Sequence, residues 1–496
     1  MKTNPKRIPE EVDVLIIGSG IGGLTCANYL AKAGLRVLVV EKHHTVGGYS
    51  SSFYKGAYYF DAGAHYLGSC RPEGQIGKLI TDHGLEKYLS LIHCDPSEVI
   101  VTQNHSIYIR SSSEIFVQEF ERAFPKERQG LRQFVKYLTD SSPMELFADL
   151  HSLTFENVLD RYFQHWEIKS AFSTLLGNIG LPSSHASALT SAFLYREFIF
   201  DGGYYPKGGM QAFADALRDR FEDYGGVCTV LSPANSINID SLGRVKSVKI
   251  RHMGRQDVEI KTKIVVANCD PMQLFERLLV GNDSFKSALE LEYQHRKPSV
   301  SAFMVHLGIS HDISETARYK CNIWSYRKGH IDEYYKGVMD GKVDRGQDSF
   351  LFCSIPTFHD QDLLPVGRHS IQAIIAAPYR DRAFWEPLRE ELADDVINRI
   401  DQFIPGISDW IDVEQVAIPP TLVKYTSNYH GAMYGWASVP LQVGKNRIPE
   451  KLSIEGLYMV GHWTGLPSGH SGIPTVVTSG RNVARLVLRD CFKSKK

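Results

Sequence analysis

VDVLIIGSGIGGLTCANYLAKAGLRVLVVE, residues 12–41, is the stretch that decides how this chain folds. Val12–Ile17 is apolar but for Asp13 near its start, as suits a strand buried on both faces of a parallel sheet. Gly18, Gly20 and Gly23 follow at once. Leu24, Ala27, Leu30 and Ala31 then recur at helical spacing until Gly34 stops the helix. Leu35–Val40 is a second buried strand and ends on Glu41. Each part has a physical task. Gly18 permits a tight turn, Gly20 lets a pyrophosphate approach the backbone, and Gly23 lets helix and strand pack closely. The helix start, with Ile21 and Gly22 in its first turn, offers free N–H groups and a partial positive charge to phosphates. Glu41, 18 residues beyond Gly23, can accept hydrogen bonds from ribose hydroxyls and repels a 2′-phosphate.

Three further features select FAD over NAD. After Glu41-Lys42 the chain runs HHTVGGYSSSF, and its second glycine pair, Gly47-Gly48, suits a loop that crosses over a diphosphate. Tyr59-Phe-Asp61-Ala-Gly63-Ala-His65 is an apolar approach to a turn of small residues. Near the C-terminus, LYMVGHW (457–463) and SGHSGIP (468–474) precede an apolar helix, with Pro474 fitting its first turn. That helix start can stabilise negative charge on a reduced flavin. The expected cofactor-binding set is Gly18, Gly20, Ile21, Gly22, Gly23, Glu41, Lys42, Gly47, Gly48, Gly63, Asn268, Gly461, Gly472, Ile473 and Pro474.

GSGIGGLTCANYLAKAG with VEK, YYPKGGMQAFADAL (204–217) and LYMVGHWTGLPSGHSGIPTVVTSGRNVA (457–484) together resemble the phytoene desaturase superfamily, which holds carotenoid desaturases, carotenoid cis–trans isomerases and retinol saturases. The resemblance runs end to end at the motifs and is weak between them. It implies an α/β fold shared with amine oxidases and GDP-dissociation inhibitors, in which a Rossmann-type FAD-binding domain carries a mixed α+β substrate domain. It also implies long apolar polyene or isoprenoid substrates. Where the superfamily commonly has a glycine-rich run, this chain places His470.

The chain has 496 residues and a formal charge of −1. It presents no basic field for nucleic acid. Eight scattered cysteines without a CxxC read as reduced thiols of a cytoplasmic protein, and no cluster has metal-ligand spacing. The N-terminus reads as a first strand rather than a signal peptide. No stretch is apolar for the roughly 18 residues that a membrane span needs, which leaves lying on a membrane surface open. Residues 1–110, 204–295 and 455–496 are expected to form a discontinuous FAD-binding domain, 111–203 a helical lid, and 296–454 an antiparallel-sheet substrate domain. The lid is rich in aromatics; Phe116, Phe120 and Phe124 share one helix face. Two readings are open for them, an apolar tunnel or membrane-dipping surface and an ordinary helical core.

For catalysis the sequence offers His470, His65 and His462, imidazoles inside the flavin-facing motifs and suited to proton transfer near neutrality. For His470 the alternative is a histidine that only hydrogen-bonds backbone; for His65 and His462 it is contact with the cofactor. Tyr434 and Trp436 either line the site or form a packed aromatic corner. With a single dinucleotide fingerprint, electrons are expected to pass to oxygen or a quinone, or nowhere if the reaction is an isomerisation. Two other functions remain open on the same fold, an amine oxidase and a flavin-free lipid-binding escort protein.

Overall fold

The computed structural model describes residues 8–255, 257–279, 293, 295–464 and 472–493. Its five-stranded sheet runs Leu457–Met459, Val265–Ala267, Val14–Ile17, Val37–Val40, Val227–Thr229. Every pairing in it is parallel. Parallel strands need crossovers that cover both sheet faces, which is why these strands are continuously apolar. The first crossover is the helix Ile21–Lys32. Against it lie the helices Met210–Asp223 and Ile473–Lys493. The C-terminal helix comes so close that a Cβ on Gly480 would sit 2.7 Å from the Gly22 carbonyl oxygen.

A second sheet of seven strands runs Ile411–Ala417, Ser301–Ile309, His369–Ala377, Leu351–Ser354, Asn322–Ser325, Glu98–Val101, Ser106–Ile109. Its first five strands come from residues that the sequence assigns to an antiparallel sheet. The last two come from within 1–110, and Glu98–Val101 runs parallel to Asn322–Ser325, so the sheet is mixed. Both are four-residue strands, too short for an alternating pattern to say which sheet they join. The charged stretch from Asp381 to Phe403 folds as two helices, Arg382–Trp385 and Arg389–Asp401. Pro387 stands between them, and proline has no N–H to carry a helix through.

The helices of residues 113–194 pack on the rear face of this second sheet in one apolar core. Capping fixes where they begin. Ser142 with Glu145, and Thr154 with Asn157, form reciprocal capping boxes. Phe116 and Phe120 are stacked at 4.5 Å between centroids and completely buried, so that face is core. Phe172 sits at the centre, 4.7 Å from Phe120, 5.0 Å from Phe134 and 5.1 Å from Phe163. Phe172→Ala should cost about 3–5 kcal/mol in urea unfolding followed by circular dichroism. A loss below about 1 kcal/mol would mean that the helical layer is held elsewhere.

Candidate functional site

The glycine loop closes around one side chain. A Cβ on Gly18, Gly20, Gly22, Gly23 or Gly461 would fall 2.6–3.1 Å from an atom of Asn268. Gly18 and Gly461 also have φ of +96° and +106°, which favour glycine. Gly20 caps the helix Ile21–Lys32 without any side-chain hydrogen bond, and the first turn carries no acidic residue. The leading N–H groups, including those of Gly22 and Gly23, are thus left for an anionic ligand. Gly47 donates its N–H to the Ser19 carbonyl at 3.0 Å and pairs with Gly20. Gly48 comes so near that its Cβ would meet Gly20 Cα at 3.4 Å. The second glycine pair therefore crosses directly over the first.

Glu41 is buried, and its carboxylate is largely engaged. One oxygen accepts from Ser19 N and Oγ at 2.8 and 2.7 Å, the other from His43 N at 2.8 Å. A carboxylate has about four lone-pair sites, so one remains for a ribose hydroxyl. Lys42 reaches the Ser427 hydroxyl, and burial lowers its pKa. Pro474, in the first turn of the C-terminal helix, lines a cavity with Gly472, Asn178, Phe193, Leu194 and Phe198. Ile473 beside it is half-buried.

The span Asp61–Tyr66, which contains Gly63 and His65, is fastened at both ends to the seven-stranded sheet. At one end the buried Asp61 carboxylate accepts from Tyr205 Oη at 2.6 Å, Ser52 Oγ at 2.8 Å and Met210 N at 3.0 Å. Its carbonyl accepts from Gln372 Nε2 at 2.8 Å and meets His306 Nε2 at 3.2 Å. At the other end Tyr66 donates its hydroxyl to Glu98 Oε1 at 2.8 Å, and Trp324 Nε1 donates to the same oxygen at 2.7 Å. Between these anchors Ala62, Gly63, Ala64 and His65 are half-buried.

Beneath the span lies a polar row on the front face of the large sheet. Gln415, His306, Gln372 and Ser354 are neighbours across four strands, and Asn322 and Glu98 across the next two. Among the described residues His306 Nδ1, Gln372 Oε1, Ser354 Oγ and Glu98 Oε2 are buried without a hydrogen-bond partner. Burying unpaired polar groups costs stability, so stability alone does not explain the row.

Of the expected catalytic residues, His470 lies outside the described residues. His65 packs against Phe352 at 4.2 Å between centroids, and burial pushes its pKa down to about 3. His462 is held down to about 4, by burial first and the Arg447 guanidinium second. Both imidazoles are neutral at pH 7. Tyr434 is half-buried and donates to the Gly177 carbonyl at 2.9 Å. Trp436 is buried edge-on to Trp463 at 5.0 Å, a packed aromatic corner. Sequence reasoning missed Glu98 and His359. Burial raises the Glu98 carboxyl from 4.5 to about 7 and lowers His359 to about 4. Nothing in their local sequence sets either apart, because sheet pairing brings them here from 261 residues apart.

A glycine loop closed on a parallel strand, an uncapped helix start, a crossing glycine pair and a terminal acid define a dinucleotide-binding flavoprotein of α/β fold. The chain belongs to the family of flavin containing amine oxidoreductases, whose model matches residues 21–488. It is 22% identical to the all-trans-retinol 13,14-reductase of Danio rerio, covering 86% of this chain and 78% of that protein. It is 24% identical to the 4,4'-diapophytoene desaturase (4,4'-diapolycopene-forming) of Methylomonas sp, covering 96% and 94%. With prolycopene isomerase 1, chloroplastic, of an Oncidium hybrid cultivar the identity is 26%, covering 98% and 85%. Wild-type putrescine oxidase bound to putrescine shares the fold, with a TM-score of 0.61 at 15% identity over 97% of this chain and 99% of that one. The cofactor is FAD, and the cradle fits it: the helix start is left uncapped for a diphosphate, and Glu41 keeps a lone-pair site for a ribose hydroxyl.

Glu98 makes stability depend on pH. The folded protein holds its proton up to about pH 7, whereas an ordinary glutamate gives it up near 4.5. The carboxyl's stabilising contribution is therefore complete below 4.5 and is lost as pH rises through 7. Glu98→Gln should remove that part of the pH dependence in urea titrations from pH 4 to 8. Parallel wild-type and variant curves would show that Glu98 does not titrate in this window.

Proposed function

We propose that the protein is an FAD-dependent oxidoreductase acting on carbon–carbon bonds of a long apolar polyene or isoprenoid chain, by saturation, desaturation or cis–trans isomerisation. The observation that carries this reading is the character of the cleft wall. Ile374 shares the front sheet face with Gln372, two residues away, and is half-buried, as are Met433 and Tyr434 nearby. Phe193, Leu194 and Phe198 line the cavity at the start of the C-terminal helix beside Glu197, whose carboxylate is paired with Arg71. The histidines beside this wall are neutral, so the surface suits a hydrocarbon rather than an ammonium group. The polyene-linked names of the relatives support the same substrate class.

In this reading the N–H groups of Ile21, Gly22 and Gly23 hold the diphosphate, and Gly47 and Gly48 cross it. Glu41 and Lys42 attend the adenosine. Asn268 keeps the loop open by filling the space behind it. Gly63, Gly461, Gly472, Ile473 and Pro474 edge the flavin ring. Bound FAD exchanges hydride with a substrate carbon. The protein's own task is to hold a polyene against the ring, exclude water with the apolar wall, and handle a proton at the neutral imidazoles of His65 and His462, with His470 the third candidate. Oxygen or a quinone completes the electron balance in net oxidation. A lipid-soluble substrate makes a membrane surface its natural source; among the described residues no helix is long and apolar enough to cross one.

The test is anaerobic absorbance spectroscopy of the FAD-loaded protein with a panel of retinoids, linear carotenes and simple amines. The expected outcome is bleaching of the oxidised flavin by a polyene, or reoxidation of dithionite-reduced flavin with loss of the polyene band. A polyene converted between cis and trans forms without net flavin change also fits. Bleaching by amines alone, with peroxide on readmitting air, would overturn the reading in favour of an amine oxidase. A protein that refuses FAD would leave a lipid-binding role.

A further inference from the structure

The helix Ala188–Leu194 does not stop at Leu194 but widens into one π-helical turn, Tyr195–Ile199. The Phe200 N–H donates to the Tyr195 carbonyl at 2.9 Å, five residues back. Around an α-helix, residues five apart point about 140° away from each other. A π-turn holds more residues per turn and closes most of that angle. Phe193 and Phe198, five apart, therefore both line the cavity that lies against Gly472 and Pro474 at the start of the C-terminal helix. Such turns are rare and recur at functional sites.

Phe198 is held firmly by its surroundings. Its ring lies so near the backbone of Gly68 that a Cβ there would fall 2.3 Å from Phe198 Cδ2. The Tyr66 ring is 4.8 Å away between centroids. On either side of it in the chain, Glu197 and Asp201 both pair with Arg71, the second at 3.2 Å. Cys70 N donates to the same Asp201 carboxylate at 2.6 Å. These bonds tie the π-turn to the loop that follows the span Asp61–Tyr66.

The cavity that Phe198 bounds has a volume of about 40 Å³. A benzene ring is taken up by an apolar cavity of roughly 150 Å³. The space therefore suits the width of a hydrocarbon chain and not a six-membered ring. Its polar lining is already engaged: Asn178 Nδ2 donates to the Leu175 carbonyl at 3.0 Å, and Glu197 is paired with Arg71.

We propose that Phe198 is a specificity-determining residue, which admits an acyclic polyene or isoprenoid chain beside the flavin and stops a chain end that carries a ring. The π-turn aims the side chain, and the bare backbone of Gly68 gives it room. The proposal rests on the reading of the protein as an oxidoreductase of polyene or isoprenoid chains, and it names the branch of that class the site accepts.

Equilibrium titration of the oxidised, FAD-loaded full chain tests this without turnover, with perturbation of the flavin absorbance as the readout. The probes are geranylgeraniol and all-trans-retinol, alcohols of equal carbon number of which only the second ends in a ring. The wild type should bind geranylgeraniol more tightly than retinol by about tenfold or more. Phe198→Ala, checked for a wild-type flavin spectrum, should tighten retinol by about tenfold and move geranylgeraniol far less. Phe198→Leu, which keeps an apolar side chain against Gly68, should shift retinol the same way by a smaller factor. Gly68→Ala should change retinol affinity in the wild-type background and not in Phe198→Ala, because it acts only through the ring. Equal affinities for the two alcohols in the wild type, or retinol unmoved in both Phe198 variants, overturn the filter and leave the polyene reading standing. If neither alcohol perturbs the wild-type flavin, that reading loses its support. Retinol binding to Phe198→Ala would then still uphold the filter, and silence in every variant would overturn it.

Discussion

The contact on which the rest of this molecule depends is the packing of five glycines around the amide of Asn268. Its Nδ2 donates to the Gly18 carbonyl at 3.3 Å, and its backbone N–H bonds to Ile17. It thereby joins the central strand to the strand Val265–Ala267. Because none of the five glycines has a side chain, backbone can come within van der Waals distance on every side of that amide. The helix start is left uncapped as a direct result, and the second glycine pair can cross over it. Cofactor binding here is first a matter of backbone proximity and only second of side-chain chemistry.

The site then grows outward by hydrogen bonds of increasing sequence separation. Glu41 shapes the first loop through Ser19, 22 residues away. Asp61 ties its hairpin to Tyr205 and Met210 at separations of 144 and 149 residues, and to Gln372 at 311. Each step leaves less polar capacity free. At the front of the large sheet what remains is a row of side chains that are buried and only partly satisfied. In that dry setting histidine stays neutral and glutamate stays protonated, which puts groups able to give or take a proton beside a surface otherwise made for hydrocarbon.

What the sequence discloses and what it hides divide along the same line. The elements of residues 12–41 were legible because strand, glycines, helix and acid follow one another within a single run of chain, each constrained by its neighbour. The antiparallel sheet of residues 296–454 was legible as a class, and its strands Ser301–Ile309 and His369–Ala377 are long and largely apolar. Glu98 and His359 were not, since their significance arises only when Glu98–Val101 pairs with Asn322–Ser325. The aromatic residues between 111 and 203 could belong to core or cleft on pattern alone. Burial separates them, with Phe116, Phe120 and Phe172 inside and Phe193 and Phe198 at the cavity.

The span from Asp61 to Tyr66 also acts as a ruler. Both its ends are fastened to the seven-stranded sheet, one through the Asp61 carbonyl and the other through the Tyr66 hydroxyl. The chain between them is only four residues long. One inserted residue would add about 3.3 Å of extended backbone, and with both ends held the surplus would have to bow into the cleft where His65 stands. Shortening it by one would pull Tyr66 from Glu98 or Asp61 from Gln372. The length of this segment, more than the identity of its small residues, therefore sets how far His65 stands from the large sheet.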